Sequence, residues 1–329
     1  MNRFSQRPIL KAGGCLNTVE IYQLAPNPDV LMQSYVIKTS NGKLVVIDGG
    51  IGGDSHEIYL LSALRAIAGV GENEYFEVEA WFLSHCHNDH FFELAKMLNA
   101  YTYSSNYKIN HIYFDFPPFE SAEFPYADGE AVATAKLKEG LANYAAIRQK
   151  DTCYDKINGA FINQASVKDG LVFDIDGVKF EILLTWDSSR GADANNQSLI
   201  IKMYAYDKTV LFLNDCKQTE GDILMRDFAD KIRCDVVQMA HHGQDAVNEE
   251  VYKAIGAKIF LWPTPIWVWT NTKNFTIGET RKWVNGVDFT TAKKNHLVAC
   301  LYEEYPTNPS SVESWKKVKD GMKIVLYQG

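Results

Sequence analysis

The chain has 329 residues, of which 46% are hydrophobic, enough for a substantial core in one large domain or two small ones. Its formal net charge of −8 and the lack of a long basic run argue against binding nucleic acid through a broad positive surface. No stretch is long and apolar enough to cross a membrane, and no apolar secretion signal stands near residue 1, so we expect no membrane association.

Six cysteines are spread along the chain without paired spacing: Cys15, Cys86, Cys153, Cys216, Cys234 and Cys300. Scattered cysteines are typical of free thiols in a reducing compartment, so we expect a cytoplasmic protein. Cys86 and Cys216 each lie beside a candidate metal ligand. For both, a role as a small buried side chain is favoured over metal binding.

Hydrophobic periodicity predicts a mixed succession of strands and helices. Strands are expected over residues 19–23, 32–38, 43–47, 80–83, 108–115, 178–185, 198–203, 209–213, 234–240 and 258–262. Helices are expected over residues 55–69, 91–98, 128–149 and 220–228. Two segments rich in proline and aromatic residues, 115–126 and 263–269, are interpreted as loops. No linker, short-period repeat or low-complexity segment is evident.

The stretch after the strand at residues 80–83 concentrates the candidate chemistry. His85, His87, Asp89 and His90 fall within six residues, between that strand and an amphipathic helix. In an extended turn His85 and His87 point the same way and can bind one metal ion, whereas Asp89 and His90 can face a second position. Imidazole suits zinc, iron or manganese, and a carboxylate suits a hard divalent cation. The alternative is a helix start capped by Asp89, which is disfavoured because three of the chain's eight histidines lie here.

Polar residues of the same kind stand at the ends of three other apolar strands: Asp48, Asp215 and the pair His241-His242. Together with the H-x-H-x-D-H sequence of residues 85–90, this order resembles the signature of the metallo-β-lactamase fold superfamily of metallo-hydrolases. The resemblance implies an α/β (α+β) fold, a four-layer αββα sandwich. It also implies a single domain over residues 1–329, built of two similar halves of about 1–175 and 176–329. We expect residues 270–329 to add strands and helices to the second half.

The resemblance also implies the ligands of a binuclear site: His85, His87, Asp89, His90, Asp215 and His241. Asp215 would bridge the two metal ions, and either His241 or His242 would bind the second ion. We favour His241, because it follows its strand directly. Asp48 would orient the histidine-rich turn by hydrogen bonds. The cofactors are expected to be two divalent metal ions, zinc by preference, with manganese or iron as alternatives.

The chain departs from the family pattern in one place. Most members have another histidine between the H-x-H-x-D-H turn and the bridging aspartate, but here only His111 lies in that interval, within a predicted strand. The segment Asn195-Asn196-Gln197-Ser198 instead resembles one branch of the superfamily, which includes the hydrolase domain of competence-type DNA-uptake proteins. Whether Asn195 or Asn196 binds metal or only lines the site is left open.

The candidate ligands predict a metal-dependent hydrolase that uses metal-activated hydroxide, and the resemblance to this branch implies that it cleaves a phosphodiester. Asp89 would relay protons, and His242 would stabilise a developing oxyanion. One alternative is hydrolysis of a lactone, thioester or β-lactam; another is a non-catalytic binding protein with a vestigial metal site. The acidic charge favours a small substrate, so a nucleic acid is compatible with the motifs but not favoured. Substrate identity and oligomeric state are not predicted.

Aromatic residues near the candidate site have two interpretations. Trp262, Trp267 and Trp269, with the loop at residues 116–126, could form an aromatic wall for a choline-like group or a nucleobase. Alternatively, they pack the core and the interfaces of the second half, which is the interpretation that we favour.

Overall fold

The structure, a computed structural model, describes residues 17–24, 31–51, 56–101, 106–119, 128–148, 167–271, 277–284, 296–301 and 323–328. The strands in these ranges are β1 (Thr18–Gln23), β2 (Tyr35–Lys38), β3 (Leu44–Ile47), β4 (Phe76–Phe82), β5 (Tyr107–Ile109), β6 (Ile112–Tyr113), β7 (Val172–Ile175), β8 (Val178–Leu184), β9 (Ile200–Ala205), β10 (Lys208–Phe212), β11 (Val236–Gln238), β12 (Ile259–Trp262), β13 (His296–Val298) and β14 (Lys323–Tyr327). The α-helices are α1 (His56–Ala68), α2 (Asn88–Ala100), α3 (Asp128–Arg148), α4 (Gln218–Asp227), α5 (Glu249–Ile255), α6 (Ile266–Thr270) and α7 (Ile277–Trp283).

The described strands form two sheets with a similar plan. The first has the order β14-β1-β2-β3-β4-β5, with β6 also pairing with β4, and the second has the order β13-β12-β11-β10-β9-β8-β7. Each sheet begins along the chain with antiparallel strands and continues with parallel pairs, such as β3 with β4 and β10 with β11. In the first sheet β14 follows as a further antiparallel strand. The carboxyl ends of parallel strands meet at one edge of a sheet, which is where α/β folds place ligands.

Three apolar clusters separate four layers. The central cluster joins residues of both sheets, such as Phe82 from β4 and Phe180 from β8. A second cluster lies between the first sheet and helices α1 to α3, and a third lies between the second sheet and helices α4 to α7. The order helix, sheet, sheet, helix confirms the predicted αββα sandwich, the metallo-β-lactamase fold.

Strand β3 illustrates how one strand serves two of these clusters. Val45 and Ile47 lie in the central cluster, whereas Leu44 and Val46 lie in the cluster under the helices. Successive side chains of a strand point to opposite faces, so a sheet covered on both faces needs a continuous apolar run. This run ends at Asp48, which begins the polar edge of the sheet.

The C-terminal part of the chain is divided between the two sheets. Strand β13 joins the second sheet as expected, but β14 pairs with β1 in the first sheet, with Thr18 opposite Tyr327. Without β14, β1 would be an edge strand with unpaired backbone groups. The predicted boundary at about residue 175 lies inside the β7–β8 hairpin, and both of these strands belong to the second sheet.

Two other segments differ from their predictions. The strand expected over residues 108–115 is divided into β5 and β6, which pair with β4 on either side of Asn110 and His111. The loop prediction is wrong for α6, where Trp269 turns inward and packs edge-on against Trp262 at 5.4 Å between ring centroids. Both of these tryptophans are fully buried in the third cluster, so they pack the core and cannot form a substrate-facing wall. Residues 120–126 of the other predicted loop lie outside the described residues.

Within the described ranges, we find no helix that combines the length and the apolar character needed to cross a membrane.

Candidate metal centre

Loops from both sheets meet around the carboxylate of Asp215, which follows β10. Its Oδ2 atom is 3.3 Å from His90 Nε2, 3.8 Å from His242 Nε2, and 3.9 Å from the Nε2 atoms of His85 and His241. Its Oδ1 atom has no hydrogen-bond partner among the described residues, although it is buried. A carboxylate can give one oxygen to each of two metal ions, so this position suits a bridging ligand.

His85 and His87 form a first group with Asp215, in which all ligating atoms lie within 4.8 Å of one another. Both histidines stand on the turn between β4 and α2. The distance from His85 Nε2 to His87 Nδ1 is 3.1 Å. Two nitrogen ligands at tetrahedral angles on one zinc ion are ~3.3 Å apart, so this pair has the spacing that a shared metal requires.

Asp89, His90, Asp215 and His242 form a second group of buried ligating atoms. Asp89 Oδ2 is 3.1 Å from His242 Nε2 and 3.7 Å from His90 Nε2. The N-cap residue of α2 is His87, so Asp89 lies in the first turn and its carboxylate faces the group. Two carboxylates and two imidazoles form a donor set that suits zinc, iron or manganese.

The carboxylate of Asp48 lies beneath the histidine-rich turn. It accepts hydrogen bonds from Ser84 N at 2.8 Å, Ser84 Oγ at 2.9 Å and His90 Nδ1 at 2.8 Å. Ser84 Oγ is also 3.0 Å from His85 Nδ1. With a cation bound, the imidazole protons of His85 and His90 would lie on Nδ1, which leaves each Nε2 atom available as a ligand.

The structure places His242, rather than the predicted His241, in the second group. His242 is fully buried, its Nδ1 donates to Pro263 O at 2.7 Å, and its Nε2 atom, which faces Asp89, is the nitrogen that a cation would bind. The side chain of His241 is 21% exposed, and its Nδ1 lies 2.9 Å from Asp245 O. The backbone is left-handed at both residues, with φ of 48° and 55°, and this turn carries the second histidine inward. His241 was favoured because it directly follows the strand, and the sequence did not reveal the left-handed turn.

Two glycines bring Asp48 under the start of α2. The N–H groups of Gly49 and Gly50 donate to His90 O at 2.5 and 3.2 Å. A Cβ atom on Gly49 would lie 3.1 Å from the Cβ of Leu94, and Gly50 has φ of +79°. The Asp-Gly-Gly sequence therefore allows a close approach that larger residues would prevent.

The charges of the centre depend on one another. Burial raises the pKa of Asp215, but His90 and His242 outweigh it and hold that pKa well below its usual value. The pKa of Asp89 is lowered in the same way, against burial, by His90 and His242. Burial lowers the pKa of His85, and the neighbouring His90 lowers it further. A divalent cation that binds these ionised carboxylates would displace the protons that the neighbouring imidazoles carry.

The region of the absent histidine is a short 3₁₀ helix over Ala194–Gln197. The residue that follows this helix contacts the centre: Ser198 Oγ accepts a hydrogen bond from Asp215 N at 3.2 Å. The Oδ1 atoms of Asn195 and Asn196 are buried and have no hydrogen-bond partner within the described part of the chain. Both are oxygen donors that an ion or a substrate could satisfy.

Residues 30–247 match the family model described as the metallo-beta-lactamase superfamily. The chain belongs to this superfamily. Superfamily members are mostly hydrolases or related enzymes.

Solved structures that are similar to this chain share little sequence with it. The metallo-beta-lactamase fold protein YhfI from Bacillus subtilis is 14% identical over 82% of this chain and 94% of that chain, with a TM-score of 0.46. CmlA, a diiron beta-hydroxylase from Streptomyces venezuelae, is 10% identical over 95% of this chain and 55% of that chain, with a TM-score of 0.43. No curated protein matches the chain.

Two buried residues near the centre of this chain, Ser84 and Gln33, were not predicted from the sequence to have a role there. Ser84 connects Asp48 to His85, and its position between a buried strand and the first histidine was the available signal. Gln33 contacts Asp48 from the segment before β2, where it lies in an otherwise apolar stretch. A buried glutamine needs hydrogen-bond partners, but the sequence does not show where they are.

Proposed function

We propose that this protein is a metal-dependent hydrolase that binds two divalent cations, zinc by preference, and cleaves a phosphodiester. One observation carries the proposal: His85, His90 and His242 each have Nδ1 hydrogen-bonded outward and Nε2 directed at the carboxylates of Asp89 and Asp215. Hydrogen bonds of this kind orient metal-binding histidines in known sites. Divalent cations at such a centre lower the pKa of a bound water and polarise the bond to be cleaved.

In this proposal each residue has a defined part. The first cation is held by His85, His87 and Asp215, and the second by Asp89, His90, His242 and Asp215. Asp48 orients His90 directly and His85 through Ser84. The carboxylate oxygen of Asp89 that holds no cation would accept a proton from the attacking water and pass it to the leaving group. His241 contacts the substrate, since its side chain is the partly exposed member of the histidine pair.

Asn195 and Asn196 take the place of the absent third histidine. Their unpartnered Oδ1 atoms and their position next to Ser198 support this role. Zinc is bound in proteins mainly by cysteine, histidine and carboxylate, so an amide oxygen is a weaker ligand than imidazole. The first cation should therefore bind less tightly than the second.

The choice of a phosphodiester is supported by the sequence Asn195-Asn196-Gln197-Ser198, which resembles the branch that contains competence-type DNA-uptake hydrolase domains. The net charge of −8 favours a small phosphodiester over a long polyanion. Hydrolysis of an ester, thioester or β-lactam is the competing chemistry for the same centre.

The test is metal analysis and a substrate panel on protein purified without chelator. We expect two zinc ions per chain and turnover of bis(p-nitrophenyl) phosphate that exceeds turnover of p-nitrophenyl acetate or a chromogenic cephalosporin. Asp89→Asn should lose one cation and at least about 100-fold in rate, since it removes a ligand carboxylate. Asp222→Asn makes the same change on an exposed turn of α4 and should leave both unchanged.

Other outcomes would replace the proposal. Preferred turnover of the acetate or the cephalosporin would assign the competing chemistry. Failure to bind zinc or manganese, with no turnover of any substrate, would favour the non-catalytic binding protein.

A further inference from the structure

Gln33 is fully buried where the two sheets meet below the metal centre. Its Nε2 atom is 3.0 Å from Asp48 Oδ2 and 2.6 Å from Asn214 Oδ1, and its Oε1 atom is 3.0 Å from Gln238 Nε2. Its backbone N–H donates to Asp89 O at 3.2 Å. One side chain just before β2 thus contacts the loops after β3 and β10 and the last residue of β11, and its backbone contacts the start of α2.

The orientation of the two glutamine amides is fixed by their partners. The backbone N–H of Asn214 can only donate, and it lies 2.5 Å from Gln238 Oε1. Gln238 Nε2 must then donate to Gln33 Oε1, which leaves Gln33 Nε2 to donate to the carboxylate of Asp48. The hydrogen bonds therefore run in one direction, from a backbone donor of the second sheet to a carboxylate of the first.

Both ends of this chain of hydrogen bonds adjoin ligand residues. Asp48 holds His90 by its Nδ1 atom. Asn214 immediately precedes Asp215, has φ of 51°, and accepts a hydrogen bond from the backbone N–H of His241 at 2.9 Å. A shift of Gln33 would therefore move the ligands of the two sheets relative to each other.

We propose that Gln33 is a positioning residue that sets the spacing between the ligands of the first sheet and those of the second. It acts through Asp48 and Asn214 and touches neither cation nor substrate. The inference rests on the proposed function only in requiring that cations bind at this centre. It assigns to Gln33 control of metal affinity and ligand geometry.

The test compares two buried glutamines. Gln33→Met removes the amide at nearly constant volume. Gln23→Met is the matched control, because Gln23 is equally buried but bonds Leu297 O and the hydroxyl of Tyr35, away from the ligands. Gln33→Leu is a second variant that removes the donor and the acceptor and cannot ionise beside Asp48. Near-ultraviolet circular dichroism confirms that each variant is folded.

The readouts are the zinc dissociation constant, by competition with a chromophoric chelator, and the visible spectrum of the protein loaded with Co²⁺. Both Gln33 variants should bind the tighter zinc ion about 10- to 100-fold more weakly, as expected for a residue that supports ligands, and should shift the Co²⁺ bands. Gln23→Met should retain the wild-type affinity and spectrum.

The inference is overturned if the Gln33 variants keep the wild-type affinity and spectrum, or if Gln23→Met shows the same loss. A wild-type protein that binds no cation overturns both this inference and the proposed function. If the wild type binds two cations but hydrolyses nothing, catalysis is refuted, and the affinities of the variants still decide the role of Gln33.

Discussion

The adjacent residues His241 and His242 show how much a single backbone turn determines. They have the same side chain and follow the same strand, yet one is partly exposed and the other is enclosed between Asp89 and Pro263 O. Because φ is positive at both, their side chains do not alternate as they would in a strand. Non-glycine residues in this conformation carry a cost that is tolerated mainly at functional sites.

We expect alanine substitutions to separate the two histidines. His242→Ala should lose the cation held with Asp89 and His90, because it removes a buried ligand. His241→Ala should retain both cations and lose mainly the turnover rate. Metal analysis and steady-state kinetics on both variants check this. Retention of two cations by His242→Ala, with loss of one by His241→Ala, would reverse the assignment.

Asp115, beyond β6, provides a test of pH dependence outside the centre. Burial raises the pKa of this half-buried carboxyl from 3.8 to about 6, against a hydrogen bond from Thr185. The folded state thus binds this proton more tightly than the unfolded state, so the contribution of Asp115 to stability falls as pH rises from about 4 to about 6.

Asp115→Asn cannot ionise and should lack that fall. Urea unfolding of the metal-free proteins at pH 4 and pH 7 should show the variant gaining stability relative to wild type at the higher pH. An equal difference between the two proteins at both pH values would contradict the raised pKa.

At the scale of single residues, the sequence indicated which residues lie at the centre better than it indicated their contacts. His85, His87, Asp89 and His90 lie together because they are close along the chain. The partners of Ser84 and Gln33 could not be predicted, since Gln33 reaches Asn214 across 181 positions and only the folded sheets bring them together.

At the scale of elements, tight turns place the ligands. Gly243 follows the histidine pair with φ of +82°, and a Cβ atom there would lie 2.7 Å from ring carbons of Trp262 and 2.8 Å from Ile277 Cδ1. The turn after β11 is thus pressed against the aromatic core of the second half, which fixes its position.

Gly243→Ala should lower the free energy of unfolding more than a glycine-to-alanine substitution that introduces backbone strain alone. We expect about 1 kcal/mol from the left-handed backbone and about 1–3 kcal/mol more from overpacking against Trp262. Gly177→Ala is the control: φ is +78° in the β7–β8 turn, and nothing lies within 4 Å of the added Cβ. Denaturant unfolding of metal-free proteins measures both, and equal losses would show that Trp262 moves aside.

Secondary-structure prediction from the sequence succeeded where an apolar run was long. It failed where packing in the folded protein determined the local structure. The strands and helices flanking the centre were predicted close to their observed bounds. Helix α6 was missed because proline and aromatic residues at 263–269 resemble a loop, whereas the burial of Trp269 stabilises a short helix there.

At the scale of the whole molecule, the centre joins two sheets whose shared interface is mainly an apolar cluster. His85, His87, Asp89 and His90 come from the first sheet, and Asp215 and His242 come from the second. A cation bound to both acts as a cross-link, because it binds the folded protein and not the separated sheets.

Zinc should therefore stabilise the fold as well as enable catalysis. At zinc concentrations about 1,000 times the dissociation constant, we expect a gain of about 4 kcal/mol in the free energy of unfolding. Thermal unfolding with zinc and with chelator measures this gain. Asp215→Asn, which removes the shared ligand, should lose most of the zinc-dependent part, and an undiminished gain would place the zinc elsewhere.

The pairing of Thr18 with Tyr327 has a consequence for synthesis of the chain. As the polypeptide leaves the ribosome, β1 emerges early and finds β2 on one side, but its other edge stays open until Lys323–Tyr327 has followed. All the proposed ligands emerge before that strand. All the residues of the proposed centre are therefore synthesised before the strand that completes the pairing of β1, so the pairing of β1 with β14 can form only after the rest of the first sheet has been made.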